Sequence, residues 1–252
     1  MRRVWDVMGM PITVDVRDKG AEEPVFDEVF ADLVLVDETF SPFIPDSAVS
    51  RIDRGELALE DASGLVSQVL QLCRQYEFAT NGYFAAWTAG HLDPSGLVKG
   101  WAIDRAARIL DRCGYRHYFV DAAGDVRTRC PEEAGAPWRI GIRHPVERDK
   151  VARVILANDL AVATSGTYEK GAHIRDPHTG SQAQEWLSFT VIGPDIVEAD
   201  VYATAALAMG KRGLAFIEEI PRLQGYAIDR QLRATWTSGF AEVCGAGESG
   251  GG

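Results

Sequence analysis

Three stretches of the chain carry residues whose types and spacing could do chemistry. In Ala163-Thr164-Ser165-Gly166-Thr167-Tyr168-Glu169-Lys170-Gly171-Ala172-His173-Ile174-Arg175-Asp176-Pro177-His178-Thr179-Gly180, small hydroxyl side chains, two histidines and an Asp-Pro turn follow an expected strand. The plain reading is a polar loop, with Asp176-Pro177-x-x-Gly180 turning and Thr179 capping it. Three chemical readings stand beside it: Ser165, His173 and Asp176 as a nucleophile triad; His173, Asp176 and His178 as metal ligands; or His173 as a general base beside a phosphate. The triad lacks a Gly-x-Ser-x-Gly elbow, and the metal set lacks a helical His-x-x-x-His spacing.

The second stretch is Asp93-Pro94-Ser95-Gly96-Leu97-Val98-Lys99-Gly100-Trp101-Ala102-Ile103-Asp104. A glycine-bracketed turn, a lysine and then a helix make an anion site, because unpaired N–H groups and the positive end of the helix dipole face the ligand. It is not a Walker A loop, and a solvated lysine at a helix start is its plain alternative. The third is Glu198-Ala199-Asp200-Val201-Tyr202-Ala203-Thr204, where a helix puts Asp200 and Thr204 on one face. Hard oxygen ligands so spaced suit Mg²⁺, which takes few protein groups plus a substrate phosphate. An acidic first turn complementing the helix dipole is the alternative.

The elements that must position these residues are readable from periodicity. Residues 10–16 alternate as a strand, and helical spacing runs from Pro24 to Asp37 and from Ser63, its expected N-cap, to Phe78. A helix is expected from Lys99 or Gly100 to Cys113, ended by Gly114, another from Val197 to Met209, ended by Gly210, and a short one from Leu214 to Ile220. Short β-branched or aromatic runs at 117–121, 138–143, 151–157, 160–164, 188–192, 225–229 and 234–237 read as strands. Without regular βαβ alternation this is an α+β chain of one interlocked domain, residues 1–244, followed by a glycine-rich tail, 245–252.

With 26 Lys and Arg against 37 Asp and Glu, a net charge of -11 disfavours nucleic acid as a partner. No apolar run follows Arg2-Arg3, and none reaches the roughly 20 residues of a membrane span, so a cytoplasmic protein is expected. Cys73, Cys113, Cys130 and Cys244 share no C-x-x-C spacing and read as buried free thiols.

Taken together and in order, the motifs resemble those of the ApbE-type flavin transferases, the FAD:protein FMN transferases. The resemblance runs through Met8-Gly9-Met10-Pro11-Ile12-Thr13-Val14, Phe40-Ser41-Pro42-Phe43, Ser50-Arg51-Ile52-Asp53-Arg54, Gly82-Tyr83-Phe84, the Asp93–Asp104 segment, Asp121-Ala122-Ala123-Gly124-Asp125, Trp138-Arg139-Ile140-Gly141-Ile142, the Ala163–Gly180 segment, and Ala199-Asp200-x-x-Ala203-Thr204. It implies a single ApbE-like, T-fold-related α+β domain, with a mixed, mainly antiparallel sheet and flanking helices.

The implied reaction is Mg²⁺-dependent transfer of FMN from FAD to a Ser or Thr hydroxyl in the flavinylation motif of an acceptor flavoprotein, with release of AMP. Met8 and Phe43 would lie against the flavin or adenine, Tyr83, Phe84 and Ala85 would line the nucleotide, and Asp93, Lys99 and Arg175 would hold FAD. Mg²⁺ would be bound by Asp200, Thr204 and the main-chain carbonyl of Gly96, and His173 would help deprotonate the acceptor. Departures fall at Gly82-Tyr83-Phe84-Ala85-Ala86-Trp87, where many members read G-A-F-D-P-T, at Asp93-Pro94-Ser95 in place of Asp-Leu-Gly, and at Ala203, where some carry an aspartate. An FAD pyrophosphatase giving FMN and AMP, and a non-catalytic FAD-binding protein, are the alternatives.

Overall fold

A computed structural model describes residues 1–88, 90–131, 135–147, 149–167 and 176–244. The alternation read in residues 10–16 becomes strand β2 (Met10–Val16), which buries Ile12, Val14 and Val16 on one face. β2 pairs with β1 (Arg2–Val7) through a two-residue turn in which Met8 and Gly9 both take positive φ, 58° and 71°. That is the turn whose twist matches a hairpin. The sheet continues through β5 (Tyr118–Ala122), β6 (Asp125–Arg129), β9 (Ala161–Gly166), β10 (Trp186–Gly193), β11 (Gln224–Asp229) and β12 (Ala234–Trp236). All its pairings are antiparallel.

Helices cover one face. α1 (Glu23–Phe40), with Pro24 in its first turn, buries Phe26, Val29, Leu33, Val36 and Phe40 at the helical spacing of a single stripe. α2 (Ala48–Asp53) is capped by Ser47 Oγ, which accepts from Ser50 N–H at 3.0 Å, and α3 (Gly64–Ala79) begins after Ser63. Ser63 occupies the expected N-cap position but makes no capping bond with its side chain. α4 (Ser95–Arg112) starts at Ser95, a full turn before Lys99, and carries Gly96 and Gly100 inside it. α5 (Ile196–Ala208) is buried on nearly every side, wedged between the sheet, α4 and α6 (Arg212–Glu218). Asp195 Oδ1 caps α5 by accepting from Glu198 N–H at 2.9 Å, and Gly210 (φ 59°) ends it.

The other face of the sheet is covered too. The hairpin of β7 (Trp138–Arg143) and β8 (Val151–Ala157) packs Ile142 and Ile155 against Val162, Ile192, Tyr226, Ile228 and Phe240. Strands β3 (Trp87–Thr88) and β4 (His91–Leu92) form a short ribbon leading into α4. Cys73 lies in the core, where burial pushes its thiol up to about 12, and Cys130 is buried. Cys113 is exposed and Cys244 half-buried, which corrects the uniform expectation of buried thiols: Cys113 follows the last turn of α4, beyond its buried stripe.

Candidate functional site

The centre of the site is a buried ion cluster where α4, α5 and β6 meet. Lys99, in the second turn of α4, reaches the Asp125 carboxylate at the start of β6 in an ion pair and lies 3.8 Å from Asp200 Oδ1 on α5. Asp125 is 1% exposed, Asp200 3%, and the lysine side chain 27%. The solvated lysine expected of an ordinary helix start is therefore not what forms. Asp125 Oδ1 also accepts from Thr164 N–H at 2.9 Å, and Asp200 Oδ2 accepts from Gly100 N–H at 2.9 Å.

Two buried carboxylates share one ammonium. Burial pushes the Asp200 carboxyl up to about 7; Lys99 pulls the other way, and the neighbouring charge of Asp125 pushes it up further. Such a cluster has a deficit of positive charge whenever Asp200 is ionised. One turn along α5, Thr204 Oγ1 shares a hydrogen bond of 2.8 Å with Ser165 Oγ on β9, which orients the Thr204 hydroxyl. Ser165 is thus tied to a threonine at the sheet–helix boundary.

The donors present fit a hard cation. A carboxylate and a hydroxyl one helical turn apart are oxygen ligands, and among the described residues no group of three or more His, Cys, Asp or Glu side chains could form a closed cage. Mg²⁺ suits that arrangement, because it keeps waters and takes substrate phosphate oxygens rather than demanding an all-protein shell. Gly96 sits in the first turn of α4, where its neighbour is Phe84: a Cβ at Gly96 would come within 3.3 Å of the Phe84 ring.

The walls around the first turn of α4 come from separate parts of the chain. Asp93 Oδ1 accepts from Ser95 N–H at 3.0 Å, and Asp93 N–H donates to the Ala86 carbonyl at 2.8 Å, which sets the approach to the helix. Phe84 is buried, Ala85 half-buried, and the Phe84 N–H donates to Thr80 Oγ1 at 3.0 Å. Tyr83 packs edge-on to His178 with centroids 4.7 Å apart and accepts a hydrogen bond from the Arg212 guanidinium. His178 Nε2 meets the Asn81 carbonyl at 2.8 Å, so the Asp176–Gly180 turn is anchored beside Tyr83. That turn forms as expected: Gly180 N–H donates to Asp176 carbonyl at 2.8 Å, and Ser181 N–H to Thr179 Oγ1 at 3.2 Å.

Met8 is half-buried in its left-handed turn, with its N–H donating to Asp37 Oδ2 at 3.1 Å. Phe43, in the α1–α2 connection, is 90% exposed. His173 and Arg175 lie outside the described residues. Sequence reasoning reads His178 only as a candidate metal ligand and Asp125 only as the end of a motif, and does not single out Arg212. Asp125 had a usable signal, an acid at a strand start that follows a Gly turn and must face the helices, whereas the contacts of His178 and Arg212 depend on tertiary packing alone.

A cavity of about 390 Å³ opens on the opposite face of the sheet, between Thr13, Asp121, Thr164 and the β7–β8 hairpin residues Trp138, Arg139 and Arg143. It holds none of the Lys99, Asp125 and Asp200 side chains. The chemistry of the Lys99, Asp125 and Asp200 cluster, and not this cavity, marks the site.

The FAD:protein FMN transferase of Vibrio cholerae is 34% identical over 163 residues, covering 60% of this chain and 49% of that protein. That of Salmonella typhimurium is 30% identical over 148 residues, covering 55% and 41%. The chain thus matches about half the length of these curated relatives or less. Among solved structures, the ApbE protein of Thermotoga maritima superposes with a TM-score of 0.86 at 22% identity, covering 97% of this chain and 99% of that one. The flavin transferase ApbE of Vibrio cholerae does so with a TM-score of 0.83 at 23% identity, covering 96% and 98%. These likenesses establish the fold, single-domain α+β with a mainly antiparallel sheet. No helix among the described residues is long and apolar enough to cross a membrane. The ApbE family model matches residues 87–227, more than half of the sequence and the part that contains α4, β6, β9 and α5, and the chain belongs to the ApbE family.

Proposed function

We propose that this protein transfers FMN from FAD to a Ser or Thr hydroxyl of an acceptor flavoprotein, with release of AMP and a requirement for Mg²⁺. The observation that carries the reading is the buried pair of Asp125 and Asp200 around Lys99, one helical turn from the Thr204 hydroxyl. A site for phosphoryl transfer needs positioned phosphates, charge neutralisation and an oriented hydroxyl nucleophile, and needs no covalent intermediate on the protein.

In this reading Asp200, Thr204 and the Gly96 carbonyl hold Mg²⁺, which when bound neutralises charge on the phosphates. Lys99 adds a positive charge next to the pyrophosphate, at the N-terminal turns of α4 where the helix dipole favours an anion. Asp93 and Arg175 hold FAD, and Met8, Phe43, Tyr83, Phe84 and Ala85 face its ring systems and nucleotide. The acceptor oxygen attacks the FMN phosphorus, the bond from that phosphorus to the bridging oxygen of AMP breaks, and His173 takes the acceptor proton. The curated relatives named FAD:protein FMN transferase support this assignment.

The test is incubation of the protein with FAD and Mg²⁺, with and without an acceptor carrying a Ser/Thr flavinylation motif, and with EDTA as control. AMP together with an FMN-sized mass gain on the acceptor is the expected result. AMP with free FMN in both arms would make the protein an FAD pyrophosphatase, and intact bound FAD in both arms would make it a binding protein.

A further inference from the structure

The eight-stranded sheet ends on β1, beyond which no further strand pairs among the described residues. The Met1 carbonyl accepts from Val16 N–H at 2.8 Å, and the Met1 ammonium donates to the Val16 carbonyl. Hydrogen-bonded pairs alternate along an antiparallel ladder, so Arg3, Trp5 and Val7 aim their main-chain groups at Val14, Ile12 and Met10. The N–H and C=O groups of Arg2, Val4 and Asp6 then point away from the sheet. The Arg2 carbonyl is met there only by the guanidinium of its neighbour Arg3, at 2.9 Å. All three side chains are exposed, Val4 to 56%, and Asp6 makes no side-chain hydrogen bond or ion pair among the described residues.

We propose that β1 is a self-association edge, which pairs antiparallel with β1 of a second copy of this chain about a two-fold axis at Val4. In that register Val4 meets the partner's Val4, and Arg2 of each copy lies opposite the partner's Asp6. The three residues that meet are the ones with outward main-chain groups, so each opposed pair exchanges two backbone hydrogen bonds. Opposite charges directly across a ladder stabilise it, and like charges oppose it. A two-fold axis at Arg3 would set that arginine against itself, and one at Trp5 would place Asp6 against the partner's Val4 with Arg2 beyond the ladder.

Charged residues on an edge ordinarily deter pairing with an arbitrary strand. Here a cation and an anion stand symmetrically about one valine, so the pattern that repels a foreign strand complements itself under two-fold rotation. On the helix side of the strand, Arg3 would face the partner's Trp5. That indole already stacks on Phe30 of α1, with centroids 5.6 Å apart and planes at 25°, and Phe30 remains 38% exposed, which places apolar surface beside the edge.

Sedimentation equilibrium of the full chain over a concentration series tests it. The wild type should approach twice the 27.5 kDa chain mass as concentration rises. Val4→Pro removes an outward N–H without touching the β2 ladder, and should raise the dissociation constant about tenfold or more, with the unfolding midpoint unchanged at concentrations low enough for both proteins to be monomeric. Asp6→Arg sets like charges across the ladder twice and should weaken association to a similar degree, while Arg2→Asp combined with Asp6→Arg should restore it. A wild type that stays monomeric throughout overturns the proposal. So does a dimer that neither Val4→Pro nor Asp6→Arg weakens, or one whose charge reversal the double variant does not rescue.

Discussion

The Gly100 N–H donates to Asp200 Oδ2 at 2.9 Å across the α4–α5 contact, and the position has no room for a side chain. A Cβ there would stand 2.9 Å from the Ile196 carbonyl oxygen and 3.1 Å from Asp200 Cβ. Replacing a mid-helix glycine by alanine gains about 1 kcal/mol of helix propensity. The obstructing atom here is backbone, so the helices must separate and the clash outweighs the gain. Gly100→Ala should therefore cost about 1–3 kcal/mol in urea unfolding, and should lower affinity for Mg²⁺. A variant as stable as the wild type would show that the α4–α5 contact is looser than described.

Asp200 makes the metal-free protein sensitive to pH. Its carboxyl is pushed up to about 7 in the fold, from an unfolded value of about 3.9. A raised acid is stabilising in its protonated form, so its contribution is fully present below about pH 4 and is lost as pH rises through about 7. With EDTA present, Asp200→Asn should remove that decline and should be more stable than the wild type at pH 8. Mg²⁺ should bind the wild type more tightly as pH rises toward and past 7, and bind the variant at least about tenfold more weakly. Thermal unfolding against pH and metal titration read the two effects. Parallel stability curves for the two proteins would contradict the buried, raised carboxyl.

The region around Gly100 also shows where the sequence was legible and where it was not. Residues 99–113 were readable as a helix because Ile103, Ala106 and Leu110 recur at helical spacing, and all three are buried. The first turn was not, because Gly96 and Gly100 look like turn residues when read locally. Both stand inside α4 because Phe84 and Ile196 crowd them, a reason that exists only in three dimensions. β6 (Asp125–Arg129) is not legible as a strand because its apolar pattern is interrupted by Arg127 and Arg129, and α2 is too short to show a period. Asp200, Thr204 and Lys99 could be singled out by spacing and resemblance, but their burial around Asp125 could not. Ion-pair partners as far apart in the chain as Lys99 and Asp125, or Lys99 and Asp200, leave no local signature.

Tyr83 is held from two sides, by His178 and by Arg212, on the wall assigned to the nucleotide. Tyr83→Phe keeps the ring and the edge-on contact and loses only the hydroxyl that Arg212 meets, so FAD affinity should change little. Tyr83→Ala removes the face and should weaken FAD binding about tenfold or more, in line with base–aromatic stacking of about 1–3 kcal/mol. Flavin fluorescence titration distinguishes them. Equal affinities for all three proteins would take Tyr83 out of the nucleotide wall.

In the proposed transfer His173 takes the proton of the acceptor hydroxyl and has no part in FAD binding. His173→Ala should slow transfer by about 10²–10⁴-fold with the FAD dissociation constant unchanged. Single-turnover mass spectrometry of the acceptor measures the first quantity and fluorescence titration the second. An unchanged rate would move the base elsewhere.

Lys99 has a structural part and a functional part, and a pair of variants separates them. Lys99→Ala removes the ammonium that Asp125 and Asp200 share, and leaving buried carboxylates without it costs about 3–5 kcal/mol. Adding Asp125→Asn removes one of the charges while an amide oxygen can still accept from Thr164 N–H, so the double variant should recover much of that stability. FAD affinity should behave differently. If Lys99 faces the pyrophosphate, neutralising Asp125 cannot replace its charge, and both Lys99→Ala and the double variant should bind FAD at least about tenfold more weakly than Asp125→Asn alone. Recovery of stability and affinity together would mean that Lys99 serves only to balance the carboxylates. Recovery of stability without affinity places its charge on the substrate.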